Sequence, residues 1–124
     1  MRADNRKRQL EWMGSSKTDL ARLPFEAKQQ LTYGIYLAEL GRRHPDAKPL
    51  TGIDAEEIRC DCDSNTYRAV YTLLDDWVYV LHCFQKKSKE GRKTPGADIN
   101  RIKLRLQEAK ALHARERRNQ TRAK

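Results

Sequence analysis

The sequence predicts an α+β domain in which a small antiparallel sheet packs against two N-terminal helices and is followed by a C-terminal helix. Three observations predict it. Ala27, Leu31, Ile35 and Ala38, with Leu37 and Leu40 beside them, recur at the helical period. From Glu57 onward the period falls to two, through three β-rich runs joined by short turns. A last stripe, Ile99, Ile102, Leu106 and Ala109, is helical again. The order is β-α-α-β-β-β-α, and 124 residues give room for one domain.

Each element has its own signal. Residues 1–8 are polar and basic and read as a flexible extension, and Gln9 to Met13 as a short first strand. Ser16 followed by Asp19 is a capping-box spacing that opens a short helix through about Arg22. Pro24 suits the first turn of the second helix, and Gly41 with His44-Pro45 ends it. Gly34 in mid-helix costs about 1 kcal/mol against alanine, which predicts close packing there. His44 to Ala55 is a loop. Glu57 to Cys62 places Ile58, Cys60 and Cys62 on one face and Arg59 and Asp61 on the other. Asp63-Ser64-Asn65 turns into Thr66 to Leu74, and Asp75-Asp76 into Trp77 to Gln85. These three runs form an antiparallel meander, one face of which the second helix should cover. Gln85 to Thr94 is a basic loop, and Thr94-Pro95 starts the last helix. The domain spans 9–112; from His113 the apolar stripe is lost and a frayed basic tail is expected.

Composition narrows the function. No apolar run reaches the ~18 residues of a membrane span, and no apolar stretch or cleavage site follows the charged N-terminus. Three cysteines close no disulfide framework, so a cytoplasmic location is expected. The formal charge of +9 is uneven: residues 85–124 hold fourteen Lys and Arg against four acids, and residues 1–84 hold twelve against thirteen. Such asymmetry suits a polyanionic partner, although a solvated basic helix that merely keeps the protein soluble has the same composition. A membrane surface fits less well, because the basic stretch has no aromatic insertion face.

No metal site is expected. Cys60 and Cys62 lie one strand away from His82 and Cys83, and small buried cysteines explain all three thiols better than a zinc knuckle does. The sequence holds no phosphate loop, HExxH or nucleophile elbow. What remains is electrostatic. Arg59 and Arg68 stand mid-strand, each opposite the apolar face of its strand, where an arginine is costly unless it faces a wet groove or an acid. His82, Phe84 and Lys86 share one face of the third meander strand, with Lys87 and Lys89 just beyond. Cations beside an aromatic floor suit RNA, binding phosphates and stacking on unpaired bases. Cross-strand pairing of the arginines with Glu57, Asp61 or Asp63 is the alternative, and spacing does not choose between them.

The chain resembles the RelE/HigB toxin superfamily, in particular its phage-derived HigB-like branch. The resemblance covers roughly residues 10–110. It rests on Trp12 to Leu20 (W-x-G-S-S-x-x-D-L), Gly52 to Arg59 ending in Glu-Ile-Arg, Tyr67 to Tyr71 (Y-R-x-x-Y), and His82 to Pro95 (H-x-F-x-K-K-S-x-x-x-x-x-T-P). It implies a RelE-like fold and the toxin of a type II toxin–antitoxin pair. Such a toxin is a metal-independent mRNA endoribonuclease, commonly acting in the ribosome, with the substrate 2′-hydroxyl as nucleophile and no cofactor. The implied partners are mRNA, the ribosome and an antitoxin with a helix-turn-helix domain. Carried over by motif, Arg59 and Arg68 clamp the phosphate, Lys86 and Lys87 stabilise charge, and His82 moves a proton. Tyr67 and Phe84 stack on bases, and Lys89, Arg92 and Lys93 add RNA contacts. For His82 a satisfied core histidine is the alternative. For the whole chain the alternative is a non-catalytic nucleic-acid-binding protein, or a decayed toxin acting only in operon autoregulation.

Overall fold

A computed structural model describes residues 7–86 and 96–122. The elements are β1 (Gln9–Trp12), α1 (Ser16–Ala21), α2 (Phe25–Glu39), β2 (Ala47–Pro49), β3 (Glu56–Cys62), β4 (Asn65–Leu74), β5 (Trp77–Lys86) and α3 (Gly96–Arg122). They form one five-stranded sheet in the order β1-β5-β4-β3-β2. The α+β class and the meander β3-β4-β5 match the sequence expectation.

Two features of the sheet differ from it. The sheet is mixed, because β1 lies parallel to β5, Gln9 opposite Trp77 and Trp12 opposite Val80. A strand's own residues do not encode the direction of its neighbour, so the alternation in β1 could not reveal this. The second feature is β2, which pairs antiparallel with only Glu56 to Ile58. Three residues ending in a proline give no periodic signal, and proline is tolerated here because β2 is an edge strand.

The sheet carries a helix on each face. Beneath it, Ala27, Leu31, Ile35 and Ala38 of α2 pack on Ile58, Cys60, Tyr67, Ala69, Tyr71, Val78, Val80 and Cys83. At Gly34 a Cβ would lie 2.7 Å from Ile58 Cδ1, so the missing side chain lets helix and strand approach. The helix ends in a Schellman motif, Arg42 N–H donating to Leu37 O at 2.8 Å and Gly41 N–H to Ala38 O at 3.1 Å. Gly41 takes the positive φ of 79° that this closure requires. Above the sheet, Ile102, Leu106 and Ala109 of α3 pack on Val70, Tyr79, Leu81 and Phe84.

Two helix ends also depart from expectation. Ser16 does not cap α1; it is buried and its hydroxyl donates to Val80 O at 3.1 Å, while Ser15 occupies the cap position. The helix α3 continues to Arg122 instead of losing its structure at His113. His113 takes the next inward place after Ile102, Leu106 and Ala109, and is buried there. A polar residue filling an apolar slot hid that turn. Among the described residues no helix is long and apolar enough to cross a membrane.

Candidate functional site

The strand register assembles the upper face. Residues directly opposite one another project to the same side, so three rows cross the meander. Glu57, Val70 and His82 form one row, Arg59, Arg68 and Phe84 the next, and Asp61, Thr66 and Lys86 the third. A β-bulge helps to place them. The register slips between Val70 and Tyr71, leaving Leu81 without an opposite partner and turning His82, Phe84 and Lys86 to the α3 side.

The two arginines are direct neighbours, which acids in the two flanking rows make tolerable. Arg68 is buried and its Nη1 donates to Glu57 Oε2 at 2.7 Å. Arg68 Nε is buried and has no hydrogen-bond partner among the described residues. Arg59 is far more open, its side chain 42% exposed, and its Nε donates to Asp61 Oδ1 at 3.2 Å. Thr66 Oγ1 donates to the same Asp61 oxygen at 2.8 Å. That bond first, and Arg59 second, hold the Asp61 carboxyl below the usual carboxylate range. Arg59, Arg68 and Lys86 therefore share one face of the sheet, and each arginine is paired with an acid on that face. Lys86 is itself buried at the end of β5.

His82 occupies an interior position under the start of α3. Its Nε2 lies 2.7 Å from Asp98 Oδ1, and Arg105 Nη1 approaches its Nδ1 at 3.5 Å. Asp98 accepts and Arg105 donates, which assigns the proton of a neutral ring to Nε2. Burial pushes the His82 pKa down, against the opposing pull of the Asp98 hydrogen bond. Arg105 also donates to Leu81 O at 3.0 Å and Ser15 Oγ at 3.1 Å, tying α3 to β5 and α1. The geometry is that of a satisfied core histidine.

The aromatic residues fare differently from expectation. Phe84 shares the face of Arg59 and Arg68, but it is buried and one side of its ring stacks on His82, centroids 4.6 Å apart. Tyr67 belongs to the opposite face, packed into the core beneath the sheet. As a base-stacking residue it is a correction: strand alternation sends it away from Arg68, and reaching RNA would mean unpacking the α2 side. Lys87, Lys89, Arg92 and Lys93, with Thr94 and Pro95, lie outside the described residues.

Sequence reasoning missed Asp98 and Arg105, which fix His82, and left open Glu57 as partner of Arg68. Asp98 had a signal, an acid in the first turn of a helix, but the helix had to be docked before it met His82.

At the free edge of β3 beyond β2, a cleft of about 480 Å³ is lined by Glu26, Gln30, Asp46, Lys48, Arg59, Cys60, Asp61 and Cys62. Three acids against two bases make it a poor seat for a polyanion. Glu26, Cys62 and Asp63 bring donor atoms within 4.8 Å of one another at the surface nearby. There the Cys62 thiol donates to Glu26 Oε1 at 3.1 Å, and that bond pushes its pKa up to about 11, away from the thiolate a metal needs. Cys60 and Cys62 are also separated from His82 by the sheet itself.

The profile of the phage-derived Gp49-like proteins (DUF891) matches residues 18–107. Among solved structures, the chain is similar to a mutant of the E. coli toxin RelE in the free state. That likeness has 20% identity and a TM-score of 0.50 and covers 68% of this chain and 88% of that one. A chain of the toxin–antitoxin complex RelBE2 from Mycobacterium tuberculosis matches with 17% identity and a TM-score of 0.49, covering 70% of this chain and 100% of its own. No curated protein sequence matches significantly. A profile match over most of the chain makes this protein a member of the phage-derived Gp49-like family, and its sheet and helices share the fold of RelE.

Proposed function

We propose that this chain is the toxin of a type II toxin–antitoxin pair, an endoribonuclease that cuts mRNA held in the ribosome. One observation carries the reading: Arg59 and Arg68 stand side by side in one row of the sheet, and the deeper of the two keeps a buried guanidinium N–H without a partner among the described residues. An unpaired buried donor is costly, and a phosphate oxygen is the acceptor best suited to it. Family membership and the RelE-like fold support the same reading.

Cleavage uses the message's own 2′-hydroxyl. It attacks the adjacent phosphorus, the 5′-oxygen leaves, and the products are a 2′,3′-cyclic phosphate and a 5′-hydroxyl end. Arg68, braced by Glu57, holds a non-bridging phosphate oxygen, and Arg59 swings from Asp61 to the other. Together they offset the charge that builds in the phosphorane. Lys86 and Lys87 add positive potential. His82, with both ring nitrogens engaged, holds the start of α3 against β5, so proton transfer falls to a lysine or to the ribosome. The antitoxin, a helix-turn-helix protein, would cover the basic face.

A non-catalytic RNA-binding role is the second reading. It is favoured by one observation, that His82 is locked between Asp98 and Arg105. Expression of the chain alone, and then with its neighbouring reading frame, separates the two. A toxin halts growth and is relieved by the partner, whereas a binder leaves growth and message intact. Arg59→Ala is the informative variant, since Arg68→Ala would strand Glu57 as a buried unpaired charge and confound folding with function.

A further inference from the structure

The outer face of α2 is left unused by the groove, the core and the fold. Four of the six large apolar side chains exposed among the described residues lie on it: Phe25 at 69%, Tyr33 at 53%, Tyr36 at 44% and Leu40 at 37%. With the exposed Gln29 and Thr32 they fall within an arc of about 100° on a helical projection. That arc holds no charge, on a chain that is 35% charged. Lys28 and Glu39 bound it on one side and Glu26 on the other.

We propose that this face is a homodimer interface, two copies packing α2 against α2 in antiparallel about a twofold axis. The spacing is self-complementary. With the axis between Thr32 and Tyr33, Phe25 meets Leu40 of the other copy, Gln29 meets Tyr36, and Thr32 meets Tyr33. Apolar ends face apolar ends, and an aromatic–polar band fills the middle. Glu26 faces Glu39, whose charge Lys7 already offsets at 3.3 Å. Lys7 also sits 5.2 Å from the Tyr36 ring centroid, yet leaves that ring open enough to pack.

Charge distribution favours a second copy as the occupant. Residues 85–124, with fourteen bases against four acids, include α3 on the far side of the sheet, whereas residues 1–84 are close to neutral. Pairing through α2 therefore keeps the two basic halves apart and leaves both grooves facing outward. A polyanion finds nothing to bind on this stripe. A helix of 15 residues spans about 22 Å, which places the interface at the small end of stable contacts and the association in the micromolar range.

Sedimentation equilibrium of the purified full chain tests this, whether or not the chain cleaves RNA. The mass should rise from 14.5 kDa toward twice that value between roughly 1 and 300 µM. Gln29→Lys and Tyr36→Asp should each stay monomeric with an unchanged thermal midpoint, because both positions are exposed. The double variant Gln29→Lys/Tyr36→Asp should dimerise again, since position 29 meets position 36 across the axis. A monomer at every concentration overturns the proposal, as does a dimer indifferent to Tyr36→Asp. A double variant that stays monomeric overturns the antiparallel register.

Discussion

At the scale of single residues, the arginine row is a balance between like and unlike charges. Arg59 and Arg68 face each other directly, an arrangement that is unfavourable on a bare strand pair. Glu57 and Asp61 answer them at very different depths. Removing one partner of a buried pair strands the other, so Glu57→Ala should cost about 3–5 kcal/mol in urea unfolding. Arg59→Ala, at an exposed pair, should cost less than about 1 kcal/mol. Equal costs for the two would mean that Glu57 and Arg68 are not coupled as described. His82 gives a pH signature. Its pKa is lowered in the folded protein, so near pH 6.5 the unfolded chain binds more protons than the native one, and stability falls as pH drops through that region. The loss should level off below the folded pKa. His82→Asn should flatten the urea midpoint between pH 7.5 and 5.5, and an unchanged slope would contradict the buried neutral ring.

Much at this scale was legible in the sequence. Alternation set Arg59 and Arg68 opposite the apolar faces of their strands and grouped His82, Phe84 and Lys86 on one face of theirs; the bulge that brings the two sets together has no such signal. Alternation could not say whether Arg68 would meet water or Glu57, because both outcomes have the same spacing. Nor could it show that His82 would be sealed, since Asp98 reaches it from 16 residues away through the docking of α3. Tyr67 failed for a different reason. Its chemistry suited RNA, but its parity in the strand pointed it into the core.

At the scale of elements, one bulge and one helix set the site. The slip between Val70 and Tyr71 turns the end of β5 so that its polar residues share the arginine face. The helix α3 then closes part of that face and is pinned at its far end by His113. There Nδ1 lies 3.0 Å from Tyr79 Oη and Nε2 lies 2.6 Å from Asp75 Oδ2. His113→Ala leaves the buried Tyr79 hydroxyl unpaired, which should cost about 1–3 kcal/mol and speed amide exchange in the last turns of α3. Normal exchange there would argue against the latch. On the other face, Gly34→Ala forces a methyl against Ile58, itself sealed in the core, and should cost about 1–3 kcal/mol by thermal unfolding. The elements were largely readable because each carries its own period. Pairing direction and the three-residue β2 were not, because both depend on neighbours distant in sequence.

At the scale of the whole molecule, the sheet separates two chemistries. One side carries α2 with its uncharged outer stripe, and the other carries the arginine rows and the basic α3. If RNA lies along those rows, binding should weaken linearly in log salt. The phosphate clamped by Arg59 and Arg68 and a second one beside Lys86 give a slope of about −1.4, and Lys86→Ala should reduce its magnitude by about 0.7. A salt-independent affinity would contradict a phosphate-binding groove. The most direct test maps message ends after brief induction of the wild-type chain and of Arg59→Ala, expressed to equal levels. Fresh 5′-hydroxyl ends inside coding regions for the wild type, and none for the variant, are what a ribonuclease groove built on this row predicts. Intact message while folded wild-type protein accumulates, or identical cuts from both chains, would contradict it.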